Sequence, residues 1–183
     1  MYYVISDLNF NSSAAAKKQN LEVKDYNQMI INKWNEIVDD DGEDYVFVFG
    51  CFATTRDSIR EIICRLNGKI ILTEFNENRL YSIEQWRNYG ICSVWASSFK
   101  YSLLEDEKEK WIYFPNETEI NYEELNPLYD YYCVSNNKKK SEEVFDGKHL
   151  NLAAEYWDFT PIFVEEIPNI ILRLKDFVEE DTK

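Results

Sequence analysis

Residues Tyr45–Phe49 form an uninterrupted apolar run of β-branched and aromatic side chains, followed by Gly50 and Cys51. A short run of this kind predicts a strand that is buried on both faces, as in a parallel sheet. Gly50 fits a tight turn at the end of that strand because glycine adopts backbone conformations that other residues avoid. Cys51 is therefore expected at the carboxyl end of a central strand, where α/β proteins place their binding and catalytic groups.

The first 80 residues repeat this strand in an alternating order with helices. Apolar runs at Tyr2–Ser6 and Lys69–Thr73 predict two further strands. Between them, three- and four-residue spacing predicts a helix that begins after an Asp25 N-cap and a second helix capped by Thr54 or Thr55. Strand, helix, strand, helix, strand predicts a parallel sheet with crossover helices. Residues 11–19 are small and polar and predict an exposed loop.

The second half of the chain is predicted to be mostly β-strand. Phe99–Leu104 and Lys110–Phe114 predict a hairpin with a charged tip, and Pro168 predicts the start of a last helix. The remaining predicted strands are Ile91–Ala96, Tyr129–Val134 and His149–Tyr156. With no linker and no internal repeat, residues 1–183 are expected to form one domain.

The amino-acid composition argues against several classes of function. The formal charge of −14 argues against a broad basic face for nucleic acid. The four cysteines form no C-x-x-C pair and the sequence has one histidine, so a zinc site is poorly supported, and buried reduced thiols in a cytoplasmic protein are expected. The apolar run at the amino terminus is too short for a signal peptide, and no run is long enough to cross a membrane.

Several segments follow one another in an order that belongs to a known family. They are Val4–Phe10, Met29–Asn35, Val48–Ala53, Leu66–Leu72 with Asn76 and Glu77 after it, Leu150–Leu152 and Tyr156–Pro161. Together they resemble the calcineurin-like metallophosphoesterases, in particular the small bacterial and phage members. The resemblance spans nearly the whole chain and implies an α/β fold, an α-β-β-α sandwich of two mixed sheets flanked by helices.

The same resemblance implies where a metal-dependent active site would lie. Active members use two divalent metal ions to activate water and clamp a phosphate. Here Asp7 and Asn76 keep the family's residues, Cys51 stands at the bridging aspartate, and histidine positions are taken by Asn9, Glu77, Tyr113, Val134 and Asn136. One remaining carboxylate carries too little charge for two divalent ions, and a thiolate cannot bridge two hard ions as a carboxylate does. We therefore predict no metal, no other cofactor and no family-type hydrolysis at these eight positions.

Three functions remain open at this point. The first is a catalytically inactive phosphoesterase fold kept as a binding or regulatory module, with a protein partner, self-association or a small anionic ligand. The second is a hydrolase of phosphoesters or nucleotides with an altered mononuclear or metal-free site. The third is an acidic inhibitor of a nucleic-acid-binding host protein, motivated by the net charge. Asp7 and Asn9 are interpreted first as residues that cap a loop, with ligand contact as the alternative. Cys51 is interpreted first as a small buried side chain, with a nucleophile as the alternative.

Overall fold

The computed structural model describes residues 1–73, 80–94, 99–105, 108–114, 129–135 and 144–181. Three of the predicted site residues, Asn76, Glu77 and Asn136, lie outside these ranges. The structure reported below is that of the described residues.

The first sheet has five strands in the order β4-β3-β2-β1-β9. They are β1 (Tyr2–Ser6), β2 (Tyr45–Phe49), β3 (Lys69–Leu72), β4 (Ser93–Val94) and β9 (Ile162–Phe163). The first four are parallel, with Val4 opposite Phe47 and Val48 opposite Leu72, and β9 is antiparallel to β1. The predicted parallel sheet with crossovers is confirmed, while β9 is too short to be recognised in the sequence.

The second sheet has four strands in the order β5-β6-β7-β8. They are β5 (Phe99–Glu105), β6 (Lys108–Phe114), β7 (Tyr131–Val134) and β8 (His149–Asn151). The predicted hairpin is confirmed as the antiparallel β5–β6 pair, and β6, β7 and β8 are parallel. The strand predicted over His149–Tyr156 is shorter, because the chain turns into a 3-10 helix at Ala154–Tyr156.

Within the described residues, five α-helices accompany the sheets: α1 (Ser13–Lys18), α2 (Val23–Asn35), α3 (Ile59–Ile63), α4 (Ile83–Asn88) and α5 (Ile167–Asp181). The loop predicted over residues 11–19 is wrong, since α1 lies there. The predicted caps are also wrong: α2 begins before Asp25, and α3 follows Ser58 rather than a threonine. Among the described helices, none is long and apolar enough to cross a membrane.

Alternating side chains of the first sheet enter two separate cores. Val4, Phe47 and Ile71 face the second sheet and form the inter-sheet core with Ile112, Phe114, Tyr131, Cys133 and Leu150. Ile5, Val48 and Leu72 face the other way and form the helix-side core with Tyr26, Ile30 and Trp34 of α2, Ile62 of α3 and Trp86 of α4. Helix α5 packs Ile167 and Ile171 against the inter-sheet core. The chain is therefore α/β, with two mixed sheets and flanking helices.

The cysteines divide between interior and surface. Cys133 is buried, as the sequence predicts, whereas Cys51 is only half-buried and Cys64 and Cys92 are exposed. The prediction of buried thiols is wrong for the two exposed cysteines.

Candidate functional site

The carboxyl ends of β1 and β2 bring Asp7 and Cys51 together. The strands pair in parallel up to Ser6 and Phe49, so the residues that follow them emerge side by side. The Asp7 N–H donates to the Phe49 carbonyl at 3.1 Å. The Asp7 Oδ1 atom accepts a hydrogen bond from the Cys51 N–H at 3.2 Å. The register of the two strands places these two residues side by side.

The pairing continues past the strands as two loops that run together. The Asn9 N–H donates to the Cys51 carbonyl at 3.0 Å, and the Phe10 N–H donates to the Phe52 carbonyl at 2.9 Å. Asp7 and Asn9 have φ values of 52° and 51°, and the Asn9 amide donates to the Asp7 carbonyl at 2.8 Å. Aspartate and asparagine tolerate this left-handed region better than other side chains do. Both side chains thus hold the loop in shape.

The chemistry of the described donors does not fit a dinuclear metal centre. Asp7 Oδ2 accepts from the Ser6 hydroxyl at 3.1 Å while Oδ1 accepts from Cys51. The group therefore combines one carboxylate, hydrogen-bonded through both oxygens, with one amide and one thiol. Within the described ranges, no cluster of three or more His, Cys, Asp or Glu side chains has the arrangement of a metal site.

A small polar cavity lies beside Asp7 and Asn9. It has a volume of about 60 Å³ and is also lined by Ala15, Lys18, Gln19, Tyr26, Glu155 and Phe159. At its base the Tyr26 hydroxyl donates to the Leu8 carbonyl at 2.9 Å, and the Tyr26 ring meets Phe159 edge to face at 5.6 Å. Burial and then the nearby Glu155 carboxylate raise the pKa of Tyr26, so this hydroxyl stays protonated. Lys18 Nζ lies 3.7 Å from Glu155 Oε2 at the exposed side.

The sequence analysis missed the α1 residues of this cavity. Ser12 was available as a signal, because its side chain accepts from the Ala15 N–H and caps α1. The three alanines and two lysines after Ser12 also favour a helix. Only the family resemblance points to Phe159, since nothing in the local sequence indicates that residues 154–159 approach α2.

Tyr113 and Val134 belong to a different cluster from Asp7. Their side chains pack with Tyr132 and Tyr129 on the face of the second sheet that points away from the inter-sheet core. The Tyr113 ring stacks on Tyr129 at 4.4 Å. The backbones are nevertheless connected, since the Leu152 N–H donates to the Val134 carbonyl and the Leu152 carbonyl accepts from the Ser6 N–H. Of the eight predicted site residues, the described structure groups Asp7, Asn9 and Cys51.

The single histidine of the sequence, His149, is part of the packing at the start of β8. His149 begins the edge strand β8 and is buried, with Nδ1 3.0 Å from Asp146 Oδ2 and its ring stacked on Tyr132. Burial raises the pKa of Asp146, but hydrogen bonds from the His149 and Lys148 N–H groups outweigh burial and hold that pKa below its ordinary value. Asp146 therefore fixes the start of β8 as a carboxylate.

Comparison with known proteins bears on the fold alone. No protein-family model and no curated protein matches the sequence. The structure is similar to that of AQ665, a protein of unknown function from Aquifex aeolicus, with a TM-score of 0.63. The two are 16% identical over 93% of this chain and 98% of the other. At this identity the similarity shows a shared α/β architecture over nearly the whole chain.

Proposed function

We propose that this chain is a catalytically inactive member of the calcineurin-like metallophosphoesterase fold that acts as a binding module. The two mixed sheets with flanking helices support the fold, as does the position of the resembling segments at the ends of β1, β2 and β3. The proposal that the chain is catalytically inactive rests on the hydrogen bonds of the retained carboxylate, Asp7.

The observation that carries the proposal is the use of both Asp7 oxygens. One accepts from the Cys51 N–H and the other from the Ser6 hydroxyl, and the side chain is only 7% exposed. With these hydrogen bonds, the Asp7 carboxylate links the loop after β1 to the loop after β2. A divalent ion bound through the same oxygens would have to share them with the buried Ser6 hydroxyl and the half-buried Cys51 N–H, which would weaken these hydrogen bonds.

The cavity supports a binding role directed at a large partner. Its volume is about 60 Å³, which is enough for a few water molecules. Pockets for nucleotide-sized ligands are typically about 300–1,000 Å³. The described cavity beside Asp7 is thus smaller than a typical nucleotide pocket, and we favour recognition of a macromolecular surface.

The test is metal content and melting of the full chain purified without chelator. We expect no stoichiometric metal, no change of melting temperature with added manganese, and no hydrolysis of bis(p-nitrophenyl) phosphate or of nucleotides with manganese, magnesium or zinc. Asp7→Asn is the informative variant, and Asp57→Asn, at an exposed aspartate, is its control. Metal-dependent hydrolysis that is lost in Asp7→Asn and kept in Asp57→Asn would overturn the proposal in favour of an altered enzyme.

A further inference from the structure

The four sheet edges of the described structure differ in length. β4 and β9, the edges of the first sheet, have two residues each, and β8, at one edge of the second sheet, has three. β5, at the other edge of the second sheet, has seven residues, and all seven pair with β6. Short edge strands are a common means of preventing a sheet from pairing with another chain. β5 is therefore the edge where a further strand has room to pair.

The two edges of the second sheet also differ in what covers them. The Asn151 N–H donates to the Val144 carbonyl at 2.8 Å, and Phe145 pairs antiparallel with Leu150, so residues 144–146 lie along the outer edge of β8. No described segment pairs with the outer edge of β5. In an antiparallel pair, successive residues direct their N–H and C=O groups alternately toward and away from the partner strand. About half of the backbone groups of β5 therefore point away from β6 and can pair with another strand.

The described side chains of β5 do not protect its edge. Natural edge strands use lysine and proline to discourage pairing. β5 has no proline, and its one lysine, Lys100, places Nζ 4.7 Å from the centre of the Trp111 ring on β6, over its own sheet. Tyr101 packs against the inter-sheet core, and Ser102 is small and exposed. The backbone of this edge is thus accessible to a partner strand.

The charge around β5 suits a second copy of the same chain. The β5–β6 hairpin, residues 99–114, contains three lysines and four acidic residues, so its formal charge is −1, whereas the whole chain carries −14. Antiparallel pairing of two copies would bring the Lys100 end of one β5 beside the Glu105 end of the other, where unlike charges attract. Like charges would stay at opposite ends of the seven-residue strand, roughly 20 Å apart.

We propose that two copies of this chain pair through the outer edges of β5, antiparallel and across a two-fold axis, so that the two four-stranded sheets become one continuous sheet. A two-fold axis relates identical strands in antiparallel direction and closes the assembly at two copies. The axis is perpendicular to the sheet, so the core-facing side, which carries Tyr101, continues from one copy into the other. The pairing uses no residue of the Asp7 site, so this inference goes beyond the function proposed for that site.

The test is sedimentation equilibrium of the full chain between about 1 μM and about 200 μM, because dimerisation depends on protein concentration. Reducing agent is present, since Cys64 and Cys92 are exposed and could link copies covalently. We expect a mass that approaches twice 21.9 kDa as the concentration rises. Hydrogen exchange with mass spectrometry at the two concentrations locates the contact. The peptide that contains residues 99–105 should exchange more slowly at the higher concentration, and peptides from α2 should not change.

Two lysine substitutions form a matched pair, because Ser102 and Ser13 are both exposed and each substitution adds one positive charge. Ser102→Lys places like charges near the two-fold axis and should weaken dimerisation by about fivefold or more, whereas Ser13→Lys in α1 should change it by less than about twofold. Melting temperatures at the lowest concentration show that each variant is folded. A native chain that stays monomeric at about 200 μM would overturn the proposal. So would equal weakening by the two substitutions, slower exchange confined to another segment, or growth beyond two copies.

Discussion

Asp7 has a structural role where β1 and β2 end. Its oxygens accept from the Cys51 N–H and the Ser6 hydroxyl, and its own N–H donates to Phe49. The side chain thereby ties the end of β1 to the end of β2. Because both strands are central, we expect the carboxylate to stabilise the fold.

Replacing Asp7 by alanine should therefore destabilise the protein. Leaving the buried donors without an acceptor costs about 1–3 kcal/mol. Asp7→Asn should cost less, since its amide oxygen can still accept from Cys51. The measurement is urea unfolding of both variants, with Asp40→Ala in the exposed 39–43 segment as the control. An increase in stability in Asp7→Ala would contradict this role, because such an increase is typical of a carboxylate retained for ligand binding at a cost in stability.

Acid stability depends on a second buried aspartate. Burial raises the pKa of Asp44, but hydrogen bonds from the Met1 ammonium and the Asp39 N–H, together with the ammonium charge, outweigh burial and lower the pKa below its ordinary value of 3.8. A lowered folded-state pKa adds stability that is complete above the unfolded-state pKa and disappears as the pH falls through the folded-state pKa. Stability should therefore decline below about pH 4.

The check is the free energy of unfolding of the native chain and of Asp44→Asn between about pH 6 and about pH 2. The variant should be less stable near pH 6, and the difference should shrink as the pH falls. A difference that is independent of pH would show that Asp44 acts through packing alone. Asp130, whose pKa is also lowered after hydrogen bonds from Lys110 and Trp111 outweigh its burial, provides a comparison at the second sheet in Asp130→Asn.

At the scale of the elements, a glycine is required where the turn before β3 packs against the segment that follows α2. Gly68 has φ +76°, and a Cβ atom there would lie 2.7 Å from Val38 Cγ1 and 3.1 Å from the Asp44 carbonyl oxygen. Gly42 has φ +75° with no atom within 4 Å of such a Cβ. The two positions share the same backbone strain on substitution, so they differ only in packing.

We expect Gly42→Ala to lose about 1–2 kcal/mol from the left-handed backbone alone. Gly68→Ala should lose a further 1–3 kcal/mol or so from overpacking. Chemical denaturation of the two variants measures the difference directly. Equal losses would mean that Val38 and the end of α2 move aside without cost.

The elements differ in how well the sequence predicts them, for physical reasons. The three long strands of the first sheet are buried on both faces, so their apolar runs are unambiguous. Helices α1 and α4 have only six residues each, too few for a clear helical period, although Ser82 and Gln85 form a capping box at α4. Of the site, the Asp7–Cys51 contact follows from parallel register, whereas the cavity depends on residues 154–159 returning to α2 from far along the chain.

For the whole molecule, the first sheet is shared by two cores, since Val4 and Ile5 are adjacent in β1 and enter opposite ones. Losing β1 would expose both cores at once. This arrangement supports the prediction that residues 1–183 fold as one domain. Two substitutions of the same chemistry test it. Ile5 lies in the helix-side core and Ile112 of β6 in the inter-sheet core, and both are fully buried.

Ile5→Ala and Ile112→Ala should each cost about 2–5 kcal/mol. In a single cooperative unit, either substitution lowers the urea midpoint of the whole chain, whichever core it enters. Pulsed hydrogen exchange with mass spectrometry reads the midpoint separately from α2 peptides and from β6–β7 peptides. The expected result is that the two midpoints coincide in the native chain and shift together in both variants. If Ile5→Ala lowers the α2 midpoint while β6–β7 remains protected, the two cores unfold independently and the single-domain prediction is wrong. Coincident shifts would mean that any ligand that binds the folded chain at one sheet stabilises both sheets together.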